Sequence, residues 1–191
     1  MAIKTKVLPN CHIDVPGWSL LQTNEKIFVL SLGYFSARSA VRLMASTRSS
    51  KFRFALVVSV FNREYTDALL ASAKAALKGH ELKIVRVPGA YEIPVVAAKL
   101  ARAASPPFSA VICLGVILRG ATTHAQHIGE AVSTALVQIQ LQHGMPVIHE
   151  VLLLENEQQA RERCLGKKHN RGREAAQTAL EMARVMENLR R

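Results

Sequence analysis

The sequence has few cysteines and no long apolar run, and each absence excludes a class of protein. Its three cysteines, Cys11, Cys113 and Cys164, lie far apart and form no CxxC pair. Neither a disulfide framework nor a zinc module is therefore indicated. Charged residues or glycines interrupt every apolar run before the roughly 18 residues that a membrane helix needs. We therefore expect a soluble protein without a membrane segment, suited to the reducing cytoplasm.

Acidic residues are also scarce. The chain has 25 Lys and Arg against 14 Asp and Glu, a net charge of +11. Residues 1–53 carry eight of these basic residues and two of the acids (+6), which leaves 17 and 12 (+5) for the remainder. Such a charge suits nucleic acid or an anionic substrate. No aromatic interleaving, zinc finger or recognition-helix pattern accompanies it, so we predict no nucleic-acid binding.

The first 51 residues differ from the rest of the chain. Pro9, Pro16 and Gly17 interrupt them early, and no acid occurs between Glu25 and Glu64. This bias is typical of a transit peptide, but we favour a disordered tail or a start codon assigned too early. Residues 52–191, in a chain that is 49% hydrophobic, suffice for one buried core. We predict an N-terminal extension over 1–51 and a single domain over 52–191, in the cytoplasm unless the extension is a cleaved organellar signal.

From Phe52 onward, apolar runs alternate with stretches of helical periodicity. The pattern predicts strands at 53–61, 82–87, 109–118 and 147–154, and helices at about 63–78, 92–104, 124–143, 156–164 and 173–189. This alternating order predicts a three-layer α/β/α domain, with a doubly wound, four-stranded parallel sheet and helices on both faces. Ligands of such folds bind beyond the carboxyl ends of the strands.

The loop after the third predicted strand has the composition of an anion site. Gly120 and Ala121 allow close backbone approach, Thr122 and Thr123 add hydroxyl groups, and a helix begins at His124. We predict phosphate binding here, with His124 as a general acid or base. The alternative is an ordinary turn capped by a threonine, followed by a surface histidine.

Two histidine patterns superficially suggest a metal. His124 and His127 form an H-x-x-H pair, but no nearby carboxylate or cysteine completes a site. His149 and Glu150 begin like a zinc-protease motif, but Leu153 occupies the place of the second histidine. We predict no metal.

Two further strand ends offer groups that suit a polyol and a flat ring. After the second strand, Ala90, Tyr91 and Glu92 combine a small residue, an aromatic ring and a carboxylate, although Glu92 also suits the first turn of a helix. After the first strand, Phe61 and Asn62 offer a ring and an amide, with a core phenylalanine and a helix N-cap as the alternative.

A basic segment precedes the last helix. Arg163 and the run Lys167, Lys168, His169, Asn170 and Arg171 carry guanidinium and ammonium groups that suit phosphate. Most runs of charge are solvated surface, but a short basic loop between two helices would otherwise repel itself.

Together these segments resemble the lumazine synthase family of riboflavin biosynthesis. The resemblance covers residues 53–189 in the family's order and rests on VFN at 60–62, VPGAYEIP at 87–94, LGVILRGATTH at 114–124, GMPVI at 144–148, ERCLGKKHNRG at 162–172 and EAAQTALEMA at 174–183. Several long motifs at matching spacing make chance similarity untenable. The resemblance implies a flavodoxin-like fold.

The resemblance also implies a reaction without cofactor or metal. In this family, 5-amino-6-(D-ribitylamino)uracil condenses with 3,4-dihydroxy-2-butanone 4-phosphate, and 6,7-dimethyl-8-ribityllumazine and phosphate are released. His124 matches the proton-transfer histidine. The residues implied at the pyrimidine and ribityl chain are Phe61, Asn62, Ala90, Tyr91, Glu92, Val116, Ile117, Leu118 and His149. Those implied at the phosphate are Gly120, Ala121, Thr122 and Arg163, with Thr123 and Arg171 as additional candidates.

The implied assembly is a homopentamer whose sites lie between subunits, with Arg163 reaching across. Some family members close twelve pentamers into a shell, and riboflavin synthase is a possible partner. Four positions depart from the family pattern: His149 and Tyr91 replace phenylalanines, Glu150 a glycine and Arg171 a lysine. A paralogue that binds flavin or lumazine, or forms a shell, without turnover is therefore the alternative function.

Overall fold

The computed structural model describes residues 19–23, 26–30, 51–103, 105–166 and 168–190 of the chain. The chain divides into two compact units, residues 1–49 and 50–191. In the first unit, β1 (Ser19–Thr23) and β2 (Lys26–Leu30) pair in antiparallel register. We predicted no strands there. The rest of the predicted extension lies outside the described residues, so its three interpretations stay predictions.

The second unit alternates strands and helices as predicted. Its elements are β3 (Arg53–Ser59), α1 (Arg63–Ala76), β4 (Glu81–Val87), α2 (Ile93–Ala103), β5 (Ala110–Leu118), α3 (His124–His143), β6 (Val147–Leu154), α4 (Glu157–Ala160), a π-helical turn (Arg161–Leu165) and α5 (Arg171–Leu189). The four strands β3 to β6 form one parallel sheet in the order β4-β3-β5-β6. The predicted doubly wound fold is confirmed.

Asparagine caps explain where the predicted ends of the last helices were wrong. The Asn156 side chain accepts a hydrogen bond of 2.9 Å from Gln159 N, which fixes the start of α4. The Asn170 side chain accepts one of 3.2 Å from Arg173 N, so α5 starts at Arg171 rather than at 173. Each cap pairs an amide hydrogen that the first helical turn leaves free.

The sheet separates two apolar cores. On one face, Phe54, Leu56 and Ile112 pack with residues of α1 and α5. On the other face, Val57 and Val111 pack with residues of α2 and α3. The central strand β5 is buried along nearly its whole length because helices cover both of its faces. Within the described residues, no helix is long and apolar enough to cross a bilayer.

Helices α1 and α5 lie in close contact at Gly172. A Cβ atom there would lie 2.1 Å from the backbone oxygen of Leu69, far inside van der Waals contact. Gly129 in α3 is different, because a Cβ there would meet only the Leu153 side chain at 3.5 Å.

We predict that Gly172→Ala destabilises the protein and Gly129→Ala does not. Separating two packed helices costs about 1–3 kcal/mol or more, so the urea midpoint of Gly172→Ala should fall clearly below that of the wild type. Gly129→Ala removes a flexible residue from a helix interior and should be neutral or gain about 0.5–1 kcal/mol. Equal midpoints for the two variants would contradict the close approach.

His80 packs against the residues at the start of β3. Its ring stacks on Phe52, with centroids 5.7 Å apart, and meets Phe54 edge-on at 5.6 Å. Its Nδ1 accepts a hydrogen bond of 3.2 Å from Phe52 N. That bond needs an unprotonated Nδ1. Burial, and secondarily the charge of Arg184, lower the pKa of His80.

We expect His80 to make the fold less stable in mild acid. Because the folded pKa lies below the unfolded one, the unfolded chain binds the proton more readily, and stability falls as the pH drops below about 6.5. In His80→Asn, an amide oxygen can accept the Phe52 hydrogen bond without titrating. Urea unfolding at pH 7.5 and 5.5 should show a smaller acid loss for this variant; an identical loss would exclude His80 as the cause.

Candidate active site

A cavity of about 840 Å³ opens at the carboxyl edge of the sheet, beside the ends of β3 and β5. In the sheet, β4 lies on one side of β3 and β5 on the other. The connections that follow β3 and β5 therefore leave in opposite directions, and a crevice forms between them at the carboxyl ends of these strands. The lining residues are Phe61, Gly89, Ala90, Tyr91, Glu92, Val116, Ile117, Leu118, Gly120, Thr122, His124, Ala125, His127, Ile128 and Ala131.

Ten of the predicted site residues line this one cavity: Phe61, Ala90, Tyr91, Glu92, Val116, Ile117, Leu118, Gly120, Thr122 and His124. The ring of Phe61 is 69% exposed and that of Tyr91 is 63% exposed, so two aromatic surfaces are free to meet a ligand. Asn62, Ala121 and Thr123 adjoin lining residues without lining the cavity themselves. His149, Arg163 and Arg171 lie elsewhere on the chain.

Asn62 does not cap α1 with its side chain, as the sequence suggested it could. Its backbone is left-handed, with φ of 57° and ψ of 46°, a conformation that asparagine tolerates better than most residues. Its Nδ2 instead donates a hydrogen bond of 2.9 Å to the backbone oxygen of Val116. The pairing of β3 with β5 ends at Leu114, so this bond ties the β3 loop to β5 beyond the ladder.

Glu92 immediately precedes α2, which begins at Ile93, so it lies at the amino end of the helix and not inside its first turn. Its Oε2 accepts a hydrogen bond of 2.8 Å from Gly89 N. A Cβ at Gly89 would lie 2.9 Å from the same oxygen. The glycine therefore lets the carboxylate fold back over the turn, a role that the sequence analysis missed.

The predicted phosphate loop leads directly into α3. Thr122 Oγ1 accepts a weak hydrogen bond of 3.4 Å from His124 N, and Thr123 holds the N-cap position without a side-chain bond. A threonine thus partly caps α3, as expected for the alternative in which this loop is an ordinary capped turn. A Cβ at Gly120 would meet nothing within 4 Å, so this side of the loop faces open space.

The cavity also includes residues that the sequence analysis did not assign to it. Besides Gly89, these are Ala125, His127, Ile128 and Ala131 of α3. Helical spacing from His124 was the available signal, because residues three, four and seven positions further on share its face. We had considered His127 only as a metal ligand. Within the part of the chain that the structure describes, no group of three His, Cys, Asp or Glu residues is placed to hold a metal.

His149 and Arg163 each lie outside the cavity of their own chain. His149 is exposed on β6, where its Nε2 is 2.8 Å from Ser133 Oγ of α3. Arg163 lines a separate depression with Glu162, Gly166, Lys168 and His169. Lys167 of this basic loop lies outside the described residues.

Arg171 forms ion pairs instead of facing the cavity. Its Nε donates to Glu150 Oε1 and its Nη1 to Glu174 Oε2, each at 2.7 Å. The Glu150 side chain is only 4% exposed, against 35% for Arg171. Burial raises the pKa of Glu150 to about 6, although Arg171 opposes the rise. Glu150 and Arg171 therefore compensate each other's charge.

The chain is similar over most of its length to known proteins of one family. The sequence model of the 6,7-dimethyl-8-ribityllumazine synthase family matches residues 51–187. A protein of that name from Stenotrophomonas maltophilia (strain R551-3) is 39% identical over 142 residues, which cover 72% of this chain and 90% of the relative. Another from Xanthomonas euvesicatoria pv. vesicatoria (strain 85-10) is 38% identical over 147 residues, which cover 74% and 94%.

We predict that the Glu150–Arg171 pair stabilises the fold in a pH-dependent way. In Arg171→Met, the buried Glu150 carboxylate loses its positive partner, and the free energy of unfolding falls. Because Arg171 is partly exposed and solvent screens the pair, we expect the loss to be about 2 kcal/mol at pH 7.5. The loss should shrink toward pH 5, where Glu150 takes up a proton. Adding Glu150→Gln should recover most of it. Arg161→Met, which breaks an exposed pair with Glu157, should change stability by less than about 0.5 kcal/mol.

Urea unfolding of the four proteins at both pH values measures this coupling. If the Arg171→Met and Arg161→Met variants behave alike, or if the second substitution adds to the loss, the pair does not stabilise the fold.

Proposed function

Because the chain belongs to the 6,7-dimethyl-8-ribityllumazine synthase family, we propose that its cavity catalyses the condensation of 5-amino-6-(D-ribitylamino)uracil with 3,4-dihydroxy-2-butanone 4-phosphate. The products are 6,7-dimethyl-8-ribityllumazine, phosphate and two molecules of water, in the penultimate step of riboflavin biosynthesis. The observation that carries the proposal is the convergence of ten predicted residues, from three separate loops and a strand end, on one cavity.

The apolar part of the cavity suits the pyrimidine and the ribityl chain. Val116, Ile117 and Leu118 offer the apolar surface at the end of β5 on which a flat ring packs, and Phe61 is an exposed ring beside it. The Glu92 carboxylate accepts hydrogen bonds and already faces the turn at Gly89, so we assign it to the ribityl hydroxyl groups. Asn62 holds the Phe61 loop against β5.

The loop between β5 and α3 suits a phosphate. Gly120, Ala121, Thr122 and Thr123 lead into the amino end of α3, whose peptide dipoles favour an anion. We assign the phosphate of the second substrate to this loop. His124 follows it directly and therefore stands beside the leaving group.

The chemistry is proton transfer between two positioned substrates. The amine of the pyrimidine attacks the ketone, and loss of water gives an imine. Loss of the C3 proton then expels phosphate from C4, and the resulting enol becomes a ketone. The ribityl-bearing nitrogen closes the ring on that ketone with loss of the second water. We assign to His124 the proton transfers at the phosphate end, with substrate positioning as the other large contribution.

A second subunit completes the site in this proposal. Arg163 and His149 lie outside the cavity of their own chain, and both are exposed. In a homopentamer, Arg163 of one subunit meets the phosphate of the next, and His149 stacks on its pyrimidine. Arg171 is held by two carboxylates and makes a weaker candidate for phosphate. We extend the proposal to three further points: closure of the pentamers into a shell, riboflavin synthase as a partner, and a cytoplasmic location.

The second candidate is a flavin- or lumazine-binding or shell-forming protein without turnover. The observation that favours it is His149, which stands where the family resemblance implies a phenylalanine. Its Nε2 lies 2.8 Å from Ser133 Oγ. Turnover separates the two candidates directly.

We expect the purified protein to form product from the two substrates and His124→Ala to lower kcat by about 10²-fold, the low end for general acid–base catalysis. Substrate positioning, which the variant retains, limits the loss. Lumazine absorbance and fluorescence measure the product. His143→Ala, at the other end of α3, is the matched control and should keep wild-type activity. A folded wild type that binds lumazine but yields no product would support the second candidate.

A further inference from the structure

We propose that His127 is a second proton-transfer residue of this site, acting on the carbonyl carbon while His124 serves the phosphate end. The inference rests on the proposed function and deepens it. It assigns a chemical role to a residue that had been considered only as a metal ligand.

The first support is geometric. His124 and His127 are three residues apart in α3, so they lie on one face, about 4.5 Å apart along the helix axis. Both line the cavity, and both are exposed to it. The face of α3 that packs on the sheet is a different one, formed by Ala125, Val132 and Leu136. His127 is therefore presented to a ligand and is not needed to fill the core.

The second support is the small number of ionisable groups available. The ionisable side chains that line the cavity are those of Tyr91, Glu92, His124 and His127. The Glu92 carboxylate already accepts a hydrogen bond from Gly89 N. Glu130, on the next turn of α3, pairs with Gln126 outside the cavity. Among the described residues, none forms a hydrogen bond or ion pair with the His127 ring, so its two nitrogens are available for proton transfer.

The third support is the chemistry. The reaction needs a proton donor where phosphate leaves C4 and another where oxygen leaves the former ketone carbon. His124 adjoins the phosphate loop, whereas His127 lies one turn further along α3, beside Ile128 and Ala131. When the C–N bond forms, His127 takes one proton from the amine nitrogen and gives it to the former ketone oxygen, which yields the neutral carbinolamine. It then carries the second N–H proton to the hydroxyl group, so that the C–O bond breaks, water leaves and the C=N bond of the imine forms. No other reactant is needed.

The experiment compares His127→Ala and His127→Gln with the wild type and with His143→Ala. We expect kcat to fall by about 10²-fold in both His127 variants and not in the control. The pH profile of kcat should lose one ionisation, and added imidazole should restore part of the activity of His127→Ala. Circular dichroism verifies that each variant is folded.

The possible failures are distinguishable. No product from the wild type overturns the proposed function and this inference with it. Product from the wild type with unchanged kcat in the His127 variants overturns the inference alone. So does a loss of activity that leaves the pH profile unchanged and that imidazole does not restore, because a packing residue behaves in that way.

Discussion

The burial of β5 on both faces is the constraint on which the rest of the structure depends. Its residues from Ala110 to Ile117 have almost no exposed surface, because α1 and α5 cover one face of the sheet and α2 and α3 the other. A parallel strand in this position requires crossover helices on both sides. The crossovers diverge beside the end of β5, and the cavity opens at the point where they separate.

Polar contacts then turn this crevice into a defined site. The bond from Asn62 to Val116 holds the first loop against β5, and the bond from Gly89 to Glu92 shapes the second. One loop contains an asparagine in the left-handed conformation, and the other contains a glycine at which a Cβ would displace the Glu92 carboxylate. The exposed rings of Phe61 and Tyr91 line the cavity and lie outside the core.

The departures from the family pattern have different physical consequences. Glu150 and Arg171 form an ion pair with each other, so a buried carboxylate is compensated inside the fold. His149 is exposed on the edge strand and hydrogen-bonded to Ser133, so it belongs to the surface of this subunit. The first two residues therefore act on stability, whereas a role of the third in binding belongs to the proposed function.

The sequence by itself determined the order of strands and helices in the second unit, because apolar periodicity reflects how each element is buried. Motifs at the ends of parallel strands, together with their resemblance to a known family, also located ten residues of the cavity. Only the tertiary structure decided what depends on contacts between distant residues. Asn62 bonds to a strand 54 positions away instead of capping its helix. Arg171 is drawn to a carboxylate 21 positions away, and His127 joins the cavity because α3 is oriented by its buried face. Local patterns cannot reveal such pairings, because the partner is chosen by the fold.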